Sequence, residues 1–96
     1  MHKIIEKLQK GEIVKYTAHG NSMFPKIKNK EEVVLSPVTT DPEIDDIVFC
    51  KVKGKMYLHL VTTIKIVKKN KKFLISNNKG HDNGWIGINA IFGVKK

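Results

Sequence analysis

Short segments rich in β-branched and aromatic residues, separated by turn-forming residues, recur along this chain. Such segments favour strands, whereas the Gly, Pro and Asn residues between them favour turns. We predict strands over residues 13–18, 32–36, 47–52, 55–64, 72–76 and 85–94, with a hairpin around residues 69–71. Six or seven short strands at this spacing predict a mainly β, barrel-like fold.

One short helix is predicted ahead of the strands. Residues 1–10 place Ile4, Ile5 and Leu8 on one side among lysines, and Gly11 ends the pattern. The chain has 96 residues, which suits one compact core. We therefore expect a single domain over residues 1–96, with an N-terminal helix over 1–11 and a β domain over 12–96.

The single cysteine, Cys50, excludes an internal disulfide bond and a cysteine-rich zinc site. It lies in an apolar strand, so we expect it to be part of the core. No apolar segment is long enough to span a membrane, and we expect a cytoplasmic protein. No metal-ligand spacing, phosphate-binding glycine loop or dinucleotide fingerprint is present, so we predict neither a cofactor nor a metal.

The net charge of +9 comes from lysine alone, because the chain contains no arginine. Lysine lacks the planar fork with which arginine reads guanine edges, so sequence-specific DNA binding is disfavoured. The lysine-rich stretches at residues 26–30 and 65–72 leave weak, non-specific binding of anions or nucleic acid open. Lysines at turns and edge strands also keep a small β protein soluble, which is the simpler interpretation.

A serine on a glycine-containing turn is followed, 37 residues later, by a histidine on a predicted strand. The turn reads Gly20-Asn21-Ser22-Met23-Phe24-Pro25, and the histidine is His59. Strand alternation places His59 on the face opposite Leu58 and Leu60. A serine hydroxyl needs a neighbouring base to become a nucleophile. By itself, however, Gly-Asn-Ser is an ordinary turn.

The serine turn with its following Met and Pro, the later histidine and the order of the strands resemble the signal-peptidase/LexA-like serine peptidase superfamily over about residues 12–94. The resemblance implies a LexA/signal-peptidase-like β fold with Ser22 as nucleophile and His59 as general base. Some members of the superfamily have lysine at this position, and the archaeal and endoplasmic-reticulum signal peptidases have histidine. Gly20, Asn21 and Met23 would then form the oxyanion or substrate groove.

A histidine base usually needs a partner that orients its ring. In histidine-type signal peptidases this partner is an aspartate in a Lys-Gly-Asp loop, whereas this chain reads Lys79-Gly80-His81-Asp82. The aspartate is displaced by one residue. Asp82 is the predicted third member, with Asn78 or Asn83 as hydrogen-bonding substitutes. The alternative is that the loop is simply a set of turns stabilised by Asn side chains.

The resemblance predicts a short, stand-alone peptidase of phage or mobile-element origin. It would cleave a peptide or protein substrate in trans, because no long N-terminal segment is present to enter the site. The substrate is expected to lie extended beside an edge strand. Two alternatives remain: an inactive peptidase fold that serves as a binding or regulatory module, and a non-specific anion-binding or nucleic-acid-binding β domain.

Overall fold

The computed structural model describes residues 2–96, and its main element is one antiparallel sheet of seven strands. The strands lie in the order β1-β2-β7-β3-β4-β5-β6. The elements are α1 (His2–Gln9), β1 (Val14–Thr17), β2 (Glu32–Pro37), β3 (Ile47–Val52), β4 (Lys55–Val67), β5 (Asn70–Ser76), β6 (Asp82–Gly87) and β7 (Ile91–Lys95). The predicted mainly β fold with a short N-terminal helix is confirmed.

The last predicted strand, residues 85–94, is in fact two strands in different parts of the sheet. A 3₁₀ turn at Ile88–Ala90 separates β6 from β7. β6 pairs with β5 at one edge, whereas β7 lies between β2 and β3. Apolar residues continue at every second position of the sequence through this turn, so the sequence pattern did not reveal the break.

The β4–β5 hairpin is longer than predicted. β4 extends to Val67 rather than residue 64, and the turn is formed by Lys68 and Lys69 instead of residues 69–71. Both lysines have positive φ, 50° and 69°. A two-residue hairpin turn of this kind normally uses Asn or Gly, because positive φ costs other residues roughly 1–2 kcal/mol each.

The sheet is covered by apolar side chains on both faces. One buried cluster includes Phe49 and Leu60, and the other includes Phe73 and Val61. Leu60 and Val61 of β4 are both buried, although they belong to the clusters on opposite faces of the sheet. Cys50 is fully buried as expected, and burial raises the pKa of its thiol to about 12.

Helix α1 packs against β7 through a close approach between Leu8 and Gly93. A Cβ atom at Gly93 would lie 3.0 Å from the Leu8 Cδ1, so only glycine allows this contact without a shift. Gly11 ends the helix with φ of 87°. Met1, which the sequence assigned to the helix, lies outside the described residues. Among residues 2–96, no helix is long and apolar enough to cross a membrane.

The part of the sheet formed by β3 to β6 is strongly curved. As a result, β6 pairs with β5 and also approaches β3. A Cβ atom at Gly84 would lie only 3.2 Å from the Val52 Cγ1. This curl brings the first residues of β6 over the strand that carries His59. It therefore positions part of the candidate site.

Candidate active site

Ser22 lies in a loop that follows β1 and folds back onto the core. The loop is closed at its base by the Lys30 N–H, which donates to the Ala18 carbonyl at 2.7 Å. Met23 and Ile27 are buried and anchor the loop. Gly20 has a φ of 91°, a value that favours glycine, so this residue allows the chain to turn just before Ser22.

His59 is fixed within the sheet. It lies on β4 opposite Val48 of β3, and its side chain is only 7% exposed. The ring of Tyr57, two residues earlier on the same face, packs 4.8 Å from the imidazole at an angle of 36°. The imidazole is therefore restricted on one side by the sheet and on another by an aromatic ring.

The side chains of Ser22 and His59 lie within hydrogen-bonding distance of each other. The Ser22 Oγ lies 3.1 Å from the His59 Nε2, and the His59 Nδ1 lies 2.6 Å from the Asn83 Oδ1. An amide oxygen can only accept a hydrogen bond. The His59 Nδ1 therefore carries a proton, and this N–H donates a hydrogen bond to the Asn83 Oδ1. The Nε2 of the neutral ring is then an acceptor for the Ser22 hydroxyl.

The pKa of His59 is lowered from its ordinary value. Burial is the main cause, and electrostatic repulsion from the nearby His81 side chain acts in the same direction. The hydrogen bond with Asn83 opposes them. The net shift favours the neutral imidazole, which is the form that accepts a proton from a serine.

The residue hydrogen-bonded to the His59 Nδ1 is Asn83, not the predicted Asp82. Asp82 lies directly opposite Ser76 in the β5–β6 register, and its Oδ1 accepts the Ser76 hydroxyl at 2.6 Å. The register shifts there, and Asn83 is the extra residue of the bulge. Bulges redirect side chains, and this one turns Asn83 towards His59. Ser76 in turn lies 3.0 Å from the Thr62 hydroxyl.

The loop between β5 and β6 supports the serine turn from outside. Asn78 donates its backbone N–H to the Ser22 carbonyl at 2.9 Å and its side-chain Nδ2 to the Phe24 carbonyl at 3.1 Å. The Asn77 Oδ1 accepts the N–H groups of Lys79 and His81, a turn of the predicted Asn-stabilised kind. The sequence offered Asn78 as a substitute orienting residue for His59, whereas here it braces the Ser22 turn.

The predicted groove residues differ in what they contribute. The Gly20 N–H already donates a hydrogen bond to the Asn29 Oδ1 at 2.9 Å, so it is not free to bind an oxyanion. Among the hydrogen bonds of residues 2–96, none uses the N–H of Asn21, Ser22 or Met23. Asn21 has an exposed side chain, and Met23 is buried.

A cavity of about 280 Å³ opens beside the Ser22 and His59 side chains. His19, Gly20 and Tyr57 border it near these two residues. Its wall is otherwise mainly apolar and comprises Tyr16, Ala18, Met23, Ile27, Met56 and Leu58. The sequence did not reveal this cavity, since its walls come from the serine loop and from two strands that are distant in the chain.

A serine hydroxyl, an imidazole and an oxygen acceptor in this order resemble the hydrogen-bond arrangement of serine hydrolases. The mainly β fold that carries this pair is compatible with a peptidase-fold domain. A family model described as Peptidase S24-like matches residues 3–94, and the chain belongs to this family. The resemblance to the LexA/signal-peptidase-like superfamily is thus confirmed. No curated protein matches the chain.

Proposed function

We propose that this domain is a serine peptidase in which Ser22 is the nucleophile, His59 the general base and Asn83 the residue that orients His59. The observation that carries the proposal is the 3.1 Å contact between the Ser22 Oγ and the His59 Nε2. This distance is within the range over which a base removes a hydroxyl proton. Membership of a peptidase family supports the same reaction class.

In the proposed reaction, the Ser22 Oγ attacks the carbonyl carbon of a peptide bond while the His59 Nε2 takes its proton. The N–H groups of Asn21, Ser22 and Met23 are the candidate donors for the resulting oxyanion. His59 then gives the proton to the leaving amine, and the C–N bond breaks. A water molecule, activated by the same imidazole, releases the acyl group and restores Ser22.

Asn83 occupies the position that an acidic residue has in a serine triad, but its side chain is uncharged. Its Oδ1 holds the Nδ1–H tautomer and the ring orientation, which are two of the roles of the acid in a serine triad. A neutral amide does not balance the charge of the imidazolium that forms. We therefore expect a slower enzyme than one with a carboxylate, although Cys-His-Asn peptidases use the same acceptor.

The proposed substrate is a peptide or protein bound in extended form. β1 is an edge strand and leads directly into the Ser22 loop, so a peptide paired with β1 would reach the serine. A side chain next to the scissile bond would enter the apolar cavity. Because its wall is mainly apolar, this cavity of about 280 Å³ favours an uncharged side chain.

The test is reaction with a serine-directed acylating probe, with the labelled residue located by mass spectrometry. Ser22 should be labelled in the wild type, and Ser22→Ala and His59→Ala should each abolish labelling. Ser36→Ala is the matched control, because Ser36 lies on β2, outside the residues around this cavity. Thermal unfolding of each variant checks that the fold is retained. Absence of labelling by several probe chemistries between about pH 6 and 10 would rule out the peptidase proposal.

A second candidate is a non-catalytic peptide-binding module, favoured by the neutral Asn83 at the position where a triad has an acid. Such a module would bind extended peptides without cleaving them. Such a module would bind peptides equally well with and without the Ser22→Ala substitution. The wild type would then be labelled by the probe no more than Ser22→Ala. Labelling and cleavage that depend on both Ser22 and His59 would exclude it.

A further inference from the structure

The β4–β5 hairpin continues beyond the core as an exposed ribbon. We call residues 65–72 the lysine ribbon. Residues 65–71 are all exposed, so both faces of its tip are open to solvent. Five of its eight residues are lysines, namely Lys65, Lys68, Lys69, Lys71 and Lys72. The Lys71 Nζ lies 3.1 Å from the Asp41 Oδ2, so the Asp41 carboxylate partly neutralises this positive charge.

The tip of the lysine ribbon is also apolar. Ile66 is 70% exposed, more than any other large hydrophobic residue described in residues 2–96, and Val67 is 39% exposed. As neighbours on a strand, they point to opposite faces of the ribbon. Trp85 lies close by on β6 and is 40% exposed, with the Lys65 ammonium 4.2 Å from its ring centre. The ribbon thus combines apolar side chains with cations on both faces.

The turn at the tip has lysines at two positions whose backbone conformation favours other residues. Lys68 and Lys69 occupy the two positive-φ positions, which suit Asn and Gly. The opposite hairpin, between β3 and β4, uses Gly54 at the second of these positions. The lysine ribbon therefore retains two ammonium groups at its outermost point despite an unfavourable backbone conformation.

We propose that the lysine ribbon docks this protein on the surface of an anionic phospholipid bilayer. Ile66 and Val67 enter the boundary between headgroups and acyl chains, while the lysines stay at the level of the phosphates. A lipid surface accommodates both the apolar tip and the positive charge. A nucleic-acid backbone would satisfy the lysines but would leave Ile66 and Val67 in water, and the ribbon has no arginine for the grooves.

Docking at the tip leaves the serine site clear of the bilayer. His59 and Val67 lie on the same strand, eight residues apart, or about 26 Å at the rise of an extended strand. Changes at the tip should therefore leave Ser22 labelling unchanged. Membrane binding and peptidase activity are thus separately testable.

The experiment is co-sedimentation of the full chain with vesicles of phosphatidylcholine alone or mixed with an equal amount of phosphatidylglycerol. We expect binding to the mixed vesicles only, with affinity that falls as salt rises. Lys68→Gln combined with Lys69→Gln should weaken binding about 25-fold, since each lysine near an anionic surface contributes about fivefold. Ile66→Thr combined with Val67→Thr should weaken it about tenfold or more without changing the charge.

Two matched controls separate docking from general charge and apolarity. Lys53→Gln with Lys55→Gln removes the same charge from the hairpin at the other end of β4, and Ile13→Thr removes an exposed isoleucine beside the opposite edge of the sheet. Each should change affinity less than twofold. Equal losses in ribbon and control variants would overturn the proposal. So would no binding to mixed vesicles, or tighter binding to duplex DNA that is insensitive to Ile66→Thr with Val67→Thr.

Discussion

The His59 Nδ1 donates to the Asn83 Oδ1 across 2.6 Å, a shorter contact than the 3.1 Å between the Ser22 Oγ and the His59 Nε2. It joins two residues that belong to strands not paired with each other, because β4 and β6 are separated by β5. The contact depends on the curl of the sheet and on the β6 bulge that contains Asn83. It fixes the ring tautomer that leaves Nε2 facing Ser22. The orientation of the proposed base is therefore set by sheet geometry rather than by a neighbour in sequence.

Asn83→Asp should convert this amide into the carboxylate of a complete triad. A negative charge against Nδ1 favours the imidazolium, so the pKa of His59 should rise. The pH midpoint of Ser22 labelling should move upward, and the labelling rate on the high-pH side should increase about tenfold or more. An NMR titration of His59, run beside the labelling profile, measures both quantities. Asp82→Asn is the control and should move neither midpoint. An unchanged His59 pKa in Asn83→Asp would contradict the orienting role.

Stability should fall in mildly acidic solution because of His59. Its folded-state pKa is lowered from the ordinary value of 6.5, mainly by burial, so the unfolded chain binds a proton more readily. The corresponding stability is fully present above pH 6.5 and is lost as the pH falls towards the lowered folded-state pKa. Urea unfolding at a series of pH values measures this slope. His59→Gln should reduce the slope over this window, whereas His19→Gln, an exposed control, should retain it. Equal slopes for the wild type and His59→Gln would count against a lowered pKa.

Asp82 should matter for stability more than for chemistry. Its carboxylate accepts the hydroxyl of the buried Ser76, so Asp82→Ala leaves that hydroxyl with Thr62 alone. We expect a loss of about 1–2 kcal/mol in the free energy of unfolding. Asp82→Asn keeps an accepting oxygen and should cost less. The rate of Ser22 labelling should change less than threefold in Asp82→Asn, against a loss of about 100-fold or more in Asn83→Ala. A large rate loss in Asp82→Asn at unchanged stability would restore Asp82 as the third member.

Much of the fold was predictable from local sequence patterns, and the superfamily resemblance suggested that Ser22 and His59 act together. Gly20 permits the turn, alternation sets the face of His59, and the superfamily resemblance connects the two. Asp82 and Asn83 could not be distinguished this way. They are adjacent, and a single-residue bulge decides which of them faces the imidazole. The boundary between β6 and β7 was missed because apolar residues keep alternating in the sequence through Ile88–Ala90, although the buried positions change from Ile86 in β6 to Ile91 and Gly93 in β7.

Asn78 should control the position of Ser22 without touching the base. Its Nδ2 bonds to the Phe24 carbonyl, which lies 54 residues earlier in the chain. A hydrogen bond of this kind is worth about 0.5–1.5 kcal/mol, so Asn78→Ala should slow acylation of Ser22 about three- to tenfold. The pH midpoint of labelling should not move, because His59 and Asn83 keep their contact.

The rate constant for acylation should fall while the concentration of probe at half-saturation stays within about twofold, since Asn78 does not line the apolar cavity. Asn89→Ala is the matched control, because Asn89 is an exposed asparagine in the 3₁₀ turn between β6 and β7. A shifted pH midpoint would indicate that the loop acts through His59 instead. Full retention of the acylation rate would show that the backbone N–H of Asn78, which still reaches the Ser22 carbonyl, holds the turn alone.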